Sequence, residues 1–227
     1  MNRTNSTNSI GSPFLHWSLL FVILFFIVLA SFLSGAILAF DQQIVTDVTE
    51  LHTPFLTNIL HVITLAGNGS FLAPFAVLII GAAFLMKKRL EALVLLATLL
   101  GCEALSEGLK EVFERPRPDG YNLIELPTSY SMPSGHALVG GAFYTMLTLL
   151  LSRVYRHVSF GKMIPLIGFG FVTLLIFSRV YLGVHYPSDV LAGLSLGLSW
   201  MFLVYHFYFR KLIQVQIANK SQDIPTT

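Results

Sequence analysis

Lys110 and Arg117 stand seven residues apart with Pro118 after them, Pro133-Ser134-Gly135-His136 run consecutively, and Ser178-Arg179 is followed by His185 and Asp189. The three clusters supply three cations, two imidazoles, a hydroxyl, a backbone turn and a carboxylate. Fixed positive charge suits the oxygens of a phosphoryl group, and an imidazole can accept that group as a nucleophile. No Cys and His spacing typical of a metal site accompanies them, so no metal is expected.

The elements that must position these residues read as membrane. The chain has 227 residues, of which 54% are hydrophobic and 11% charged, with a mean hydropathy of +0.71. Soluble domains carry about 25% charged residues, so an ordinary soluble globule is excluded. A net charge of +2 gives no footprint for nucleic acid. The single cysteine, Cys102, lies in an apolar run and is expected to be a small buried hydrophobe.

Six apolar segments are candidate spans, at about 17–40, 70–86, 90–109, 136–152, 163–179 and 189–209. The expected fold class is all-α, a six-transmembrane helix bundle with short interfacial helices on the outer side. The first segment is too long for a signal-peptide core and is expected to be retained. Residues 1–16 are expected to form a disordered cytoplasmic N-terminus, 17–210 the spanning domain, and 211–227 a cytoplasmic C-terminal tail.

Basic residues orient the bundle. Arg3, Lys87, Lys88, Arg89, Arg153, Arg156, Lys162, Arg210, Lys211 and Lys220 fall on one side, ten of the fourteen Lys and Arg in the chain. The positive-inside rule makes that side cytoplasmic. Only Lys110, Arg115, Arg117 and Arg179 fall on the other. Cations on the translocated side run against the topological bias, and anion binding is the simplest reason for them. Between the first two spans, Thr53-Pro54 suits a helix start as N-cap and N1. Phe55, Ile59, Val62, Ile63 and Ala66 then fall near one face, and Gly67-Asn68-Gly69 breaks the helix.

These residues carry a family resemblance. Lys-x6-Arg-Pro, Pro-Ser-Gly-His and Ser-Arg-x5-His-x3-Asp are the signatures of the type 2 phosphatidic acid phosphatase (PAP2) superfamily of integral membrane phosphatases. All three occur here, in order and without departure. The resemblance covers about residues 17–210, and the short connectors are similar to those of small bacterial enzymes of the phosphatidylglycerophosphatase B and undecaprenyl-diphosphatase type. The same signatures occur in soluble vanadium haloperoxidases and acid phosphatases, from which the membrane frame sets this chain apart.

The resemblance implies a lipid phosphatase that needs no cofactor. Its partners would be the lipid bilayer and a membrane lipid phosphate, such as phosphatidylglycerol phosphate, undecaprenyl diphosphate or phosphatidate. It implies that His185 is the nucleophile, that Asp189 fixes the His185 tautomer, and that His136 protonates the leaving group and then activates water. Lys110, Arg117 and Arg179 would bind the phosphoryl oxygens, helped by the Ser134-Gly135 turn at a helix N-terminus. Glu107 and Glu103 share a helical face with Lys110. Glu107 is expected to pair with Lys110. Glu103 either lines a crevice for lipid entry or makes a structural hydrogen bond. A lipid phosphotransferase using the same site is the alternative reading. A transporter is a remote one, since the charges gather at one face and no inverted repeat is visible.

Overall fold

The computed structural model describes residues 12–222. The outer parts of the two expected tails, 1–11 and 223–227, lie outside the described residues. Eight α-helices run in order: α1 Ser12–Leu33, α2 Leu38–Thr49, α3 Pro54–Leu65, α4 Gly69–Leu85, α5 Arg89–Phe113, α6 Gly141–Val154, α7 Ile164–Tyr181 and α8 Pro187–Gln222. A π-helical turn, His136–Gly140, leads into α6, and a short 3₁₀ helix, Ser159–Met163, leads into α7. No strand occurs among the described residues.

Five helices are long and apolar enough to cross a bilayer, and the pair α3–α4, bent by 49°, gives a sixth if it acts as one span. Alone, α4 has 17 residues, about 26 Å at 1.5 Å per residue, short of a ~30 Å core. The outward faces of the helices carry bare apolar side chains such as Phe26, Val77 and Phe169. Lipid covers such surface in a membrane, and water would not tolerate so much of it.

Three boundaries differ from those expected. The first helix starts at Ser12 and ends at Leu33; turns over 34–37 separate it from α2, so 17–40 is not one span. The last helix continues from the expected end at 209 to Gln222. Helix α5 continues past the expected end at 109 to Phe113, where Glu114 adopts a left-handed conformation (φ 43°), so Arg117 lies in the loop beyond it. The start of α3 is as the sequence expects: Thr53 accepts the Leu56 amide through its side chain, and Pro54 is the first helical residue.

Helix α1 packs along α8. Ser18 Oγ donates to the Ser199 carbonyl at 2.8 Å and Ser199 Oγ to the Ser18 carbonyl at 2.9 Å, while Phe21 stacks on Phe202. Small polar residues hydrogen-bonding between helices are a usual means of association where lipid removes the hydrophobic drive. On another face, α8 presses against the Pro133–His136 segment. A Cβ at Gly193 would come within 2.6 Å of the Ser134 carbonyl, so only glycine permits the approach.

The bundle gathers the chemistry at one end. Lys110 lies in the last turn of α5, His136 opens the turn before α6, Arg179 lies near the end of α7, and Asp189 lies in the first turn of α8. The basic connectors 87–89 and 153–162 lie at the opposite ends of these same helices.

Candidate active site

Lys110, Arg117, Gly135, His136, Arg179 and His185 line one cavity of about 310 Å³. Glu103, Ser106 and Glu107 of α5 border it, as do Gly67, Asn68, Gly69 and Leu72 before and within α4. Glu103 and Glu107 remain exposed and edge the opening. Glu107 meets Lys110 at 2.6 Å, the expected i,i+3 pair.

The loop that carries Arg117 owes its shape to its sequence. Arg115-Pro116-Arg117-Pro118 places each arginine before a proline, which biases both toward extended backbone. In extended chain, residues two apart point the same way. Both arginines accordingly turn inward. Arg117 donates to the carbonyls of Ser129 (2.8 Å) and Val184 (2.8 Å), and its Nη1 also lies 3.0 Å from Nε2 of His185. Burial lowers its pKa from the usual guanidinium value, opposed by the Asp189 carboxylate. Arg179, 3% exposed, donates Nη1 to Thr64 Oγ1 at 2.6 Å, and its Nε has no partner among the described residues. Neither arginine has a carboxylate within ion-pair distance among the described residues. Two guanidiniums facing a cavity without a counter-charge form a site for an anion.

His185 sits between α7 and α8 and is 2% exposed. Its Nδ1 faces Ser131 Oγ at 3.4 Å and Asp189 Oδ2 at 3.6 Å. A guanidinium only donates, so the nitrogen facing Arg117 must accept and the proton resides on Nδ1. Nε2 therefore carries the lone pair, which accepts from Arg117 at the cavity. Burial pushes the His185 pKa down to about 4; the Asp189 carboxylate opposes the shift, and Arg179 and Arg117 add to it.

His136 has a different environment. Its Nε2 lies 3.1 Å from the Thr64 carbonyl, which accepts only, so that nitrogen holds a proton. The ring edge carrying Cδ2 abuts Gly67, where a Cβ would stand 2.3 Å from it. The opposite edge carries Nδ1. Thr64 of α3 thus touches both Arg179 and His136 through different atoms.

The structure brings together nine of the ten expected site residues, and Asp189 reaches the cavity through His185. Ser134 differs from expectation. It is fully buried and not part of the cavity wall, and its amide donates to the Asp189 carbonyl at 3.0 Å. That amide is spent on holding α8, and Gly135 alone of the pair meets the cavity. Tyr181 is the last residue of α7. It is fully buried, receives the Thr53 amide at 3.0 Å, and packs edge-on against His52.

Sequence reasoning left Asp41, Ser131 and Thr64 without a role and grouped Arg115 with the anion-binding cations. Arg115 instead meets Asp189, Ser131 meets Asp189, Thr64 meets Arg179 and His136, and Asp41 reaches the site only through Arg115 and Ser188. For Arg115 a signal existed, a cation on the side otherwise poor in them. Asp41, Ser131 and Thr64 carried none. Among the described residues, no group of three or more His, Cys, Asp and Glu could hold a metal ion.

Comparison with known proteins identifies the family. Residues 91–213 match the PAP2 superfamily. Phosphatidylglycerophosphatase B of Bacillus subtilis is 36% identical over 186 residues, covering 81% of this chain and 91% of its own. The crystal structure of the transmembrane PAP2-type phosphatidylglycerolphosphate phosphatase from Bacillus subtilis superposes with a TM-score of 0.77 at 34% identity, covering 84% of this chain and 94% of that one. An undecaprenyl-diphosphatase of Sulfolobus acidocaldarius is 40% identical over 102 residues, 43% of this chain and 45% of its own.

Proposed function

The chain belongs to the PAP2 superfamily and is a multi-pass membrane phosphatase; from that premise we propose that it hydrolyses the phosphomonoester or diphosphate head group of a lipid through a phosphohistidine at His185. The observation that carries this reading is the convergence of Lys110, Arg117 and Arg179 on one cavity that also holds two imidazoles of different surroundings. A transferred phosphoryl group spreads charge over its equatorial oxygens, so three fixed cations suit the transition state better than they suit a neutral ligand.

Nε2 of His185 attacks phosphorus as the bond to the leaving oxygen breaks. For this step His136 must enter as the imidazolium: it gives that oxygen its Nδ1 proton while Nε2–H keeps its bond to Thr64, and is left neutral. Water then attacks phosphorus as the bond to Nε2 of His185 breaks, and gives a proton to Nδ1 of His136; inorganic phosphate leaves, His185 is neutral again and His136 is again the imidazolium. Asp189 steadies the Nδ1 proton of His185 throughout. These roles are the ones the family signatures imply; the His185 tautomer, with its lone pair on Nε2, supports the nucleophile, and the bare Nδ1 of neutral His136 supports its part as the base toward water.

The substrate's chains would remain in the bilayer while its head group enters past Glu103 and Glu107. The relatives named above act on phosphatidylglycerol phosphate and undecaprenyl diphosphate, and phosphatidate presents the same chemistry. The basic connectors at the far end of the bundle favour an active site facing the outer leaflet, with both termini cytoplasmic. Transfer to a second lipid remains the alternative to transfer to water.

The test is a panel of the three lipids, phosphorus-labelled, in mixed detergent micelles containing EDTA, with rapid quench. The expected result is released phosphate, together with an acid-labile, alkali-stable label that maps to His185. Label passing to a second lipid would favour the phosphotransferase. Turnover that stops in EDTA and returns with magnesium or zinc would overturn the metal-free chemistry.

A further inference from the structure

Asp189, the carboxylate behind His185, is held mainly by groups other than His185. Arg115 Nη1 donates to its Oδ1 at 2.6 Å, while Ser131 Oγ (2.5 Å) and the Tyr186 amide (2.9 Å) donate to Oδ2. His185 Nδ1 stands at 3.6 Å, beyond a normal hydrogen bond. Arg115 is 4% exposed, and its guanidinium lies between the rings of Phe32 and Tyr186, 4.7 and 4.3 Å from their centroids. Its second arm, Nη2, reaches Asp41 Oδ2 at 2.7 Å. Asp41 in turn accepts both the amide (2.9 Å) and the hydroxyl (2.5 Å) of Ser188, the residue before Asp189. One guanidinium thus serves two buried carboxylates. Neither Arg115 nor Asp41 lines the phosphate cavity.

We propose that Arg115 and Asp41 form a positioning relay that fixes the Asp189 carboxylate and sets how much of its charge reaches His185. The proposal rests on the reading of His185 as nucleophile. A planar guanidinium with two carboxylates has little freedom to rotate, so α2 and the loop after α5 together pin the first turn of α8. The charge balance matters equally. With Arg115 in place, Asp189 shares its charge between a cation and the imidazole. Without it, Asp189 keeps only the neutral donors Ser131 and the Tyr186 amide, more of its charge falls on Nδ1, and His185 binds a second proton at higher pH and loses its lone pair.

The other groups facing His185 are Ser131 at Nδ1, Arg117 at Nε2, Arg179 from α7 and His136 from the π-helical turn, with Lys110 across the cavity. All the cations among them oppose protonation, and none changes in the variants below.

The test measures the rate of phosphoenzyme formation against pH for the full chain in detergent, with p-nitrophenyl phosphate and rapid quench. Arg115→Gln should move the acid limb up by about one pH unit or more, since a neighbouring opposite charge typically shifts a pKa by 1–3 units. Its kcat should fall at least about tenfold with KM within about twofold, because Arg115 does not touch the phosphate. Asp41→Asn removes an anion and frees Arg115 for Asp189, so its limb should move down instead. Arg115→Lys, which keeps the charge but not the fork, should restore the limb more than the rate. If Arg115→Gln fails to fold around two unpaired carboxylates, the double variant Asp41→Asn/Arg115→Gln removes the pair, and because Arg115 is the nearer of the two to Asp189 its limb should still lie above that of the unaltered protein. Opposite shifts in the two single variants are the signature of the relay, which simple loss of structure would not produce. A limb that stays in place while label still forms on His185 overturns the relay alone. Absence of label on His185 in the unaltered protein overturns the nucleophile assignment, and the relay with it.

Discussion

Nη1 of Arg117 lies 3.0 Å from Nε2 of His185, so the lone pair of the attacking nitrogen is occupied by a guanidinium N–H. The contact opposes protonation of that nitrogen and keeps it masked. A phosphoryl group entering between them would take over the guanidinium as a charge-assisted donor and leave Nε2 free to attack. Binding of the anion and exposure of the nucleophile then become one event.

The His185 environment sets a pH dependence. Its pKa is pushed down to about 4, against about 6.5 in an unfolded chain. Neutral imidazole is the attacking form, so phosphoenzyme formation in the unaltered protein should hold its rate well below pH 6.5 and fail near pH 4. Stability follows the same sign. Between the two values the unfolded chain binds a proton that the native site refuses, so stability rises with pH there and is lost as pH falls from about 6.5 toward 4. Thermal melts in detergent at pH 4.5 and 7 measure this; a higher melting temperature at pH 4.5 would contradict it.

The two histidines should separate by substrate. p-Nitrophenolate needs little protonation to leave, so His136→Ala should still form a phosphoenzyme from p-nitrophenyl phosphate but hydrolyse it slowly. General acid–base catalysis is typically worth 10²–10⁴-fold, and the lipid substrates should lose that much. His185→Ala should form no covalent intermediate with either. Rapid quench followed by peptide mapping reads both outcomes, and phosphate found on His136 in the His185→Ala protein would reverse the roles.

Gly67 is a second handle on His136. A Cβ there would stand 2.3 Å from Cδ2 of the ring, closer than such atoms approach. Gly67→Ala should displace the imidazole and cost lipid hydrolysis about 10²-fold or more, while phosphoenzyme formation from p-nitrophenyl phosphate is largely spared. Equal loss on both substrates would show instead that the break between α3 and α4 had been disturbed.

Orientation is open to labelling. In a Cys102→Ala background, Asn122→Cys should react with a membrane-impermeant maleimide on intact cells and Arg156→Cys only after permeabilisation. The reverse pattern would place the phosphate cavity on the cytoplasmic face.

The amino-acid sequence by itself determined the inventory of the site. The three clusters, their order, the apolar segments between them and the excess of cations at the far end are one-dimensional properties, as are the helix start at Thr53-Pro54 and the i,i+3 pair of Glu107 and Lys110. Local rules suffice for these, because the interacting groups are a few residues apart. Only the tertiary structure decided how the clusters are braced. Arg115 meets Asp41 and Asp189 across 74 residues in each direction, and Asp41 meets Ser188 across 147. It also decided that Ser134 turns its amide to Asp189 instead of the cavity, and that Tyr181 takes the Thr53 amide. Residue type and spacing carry no record of such contacts. A buried charge finds its partner wherever packing brings one within reach, and in a bundle that partner comes from another helix.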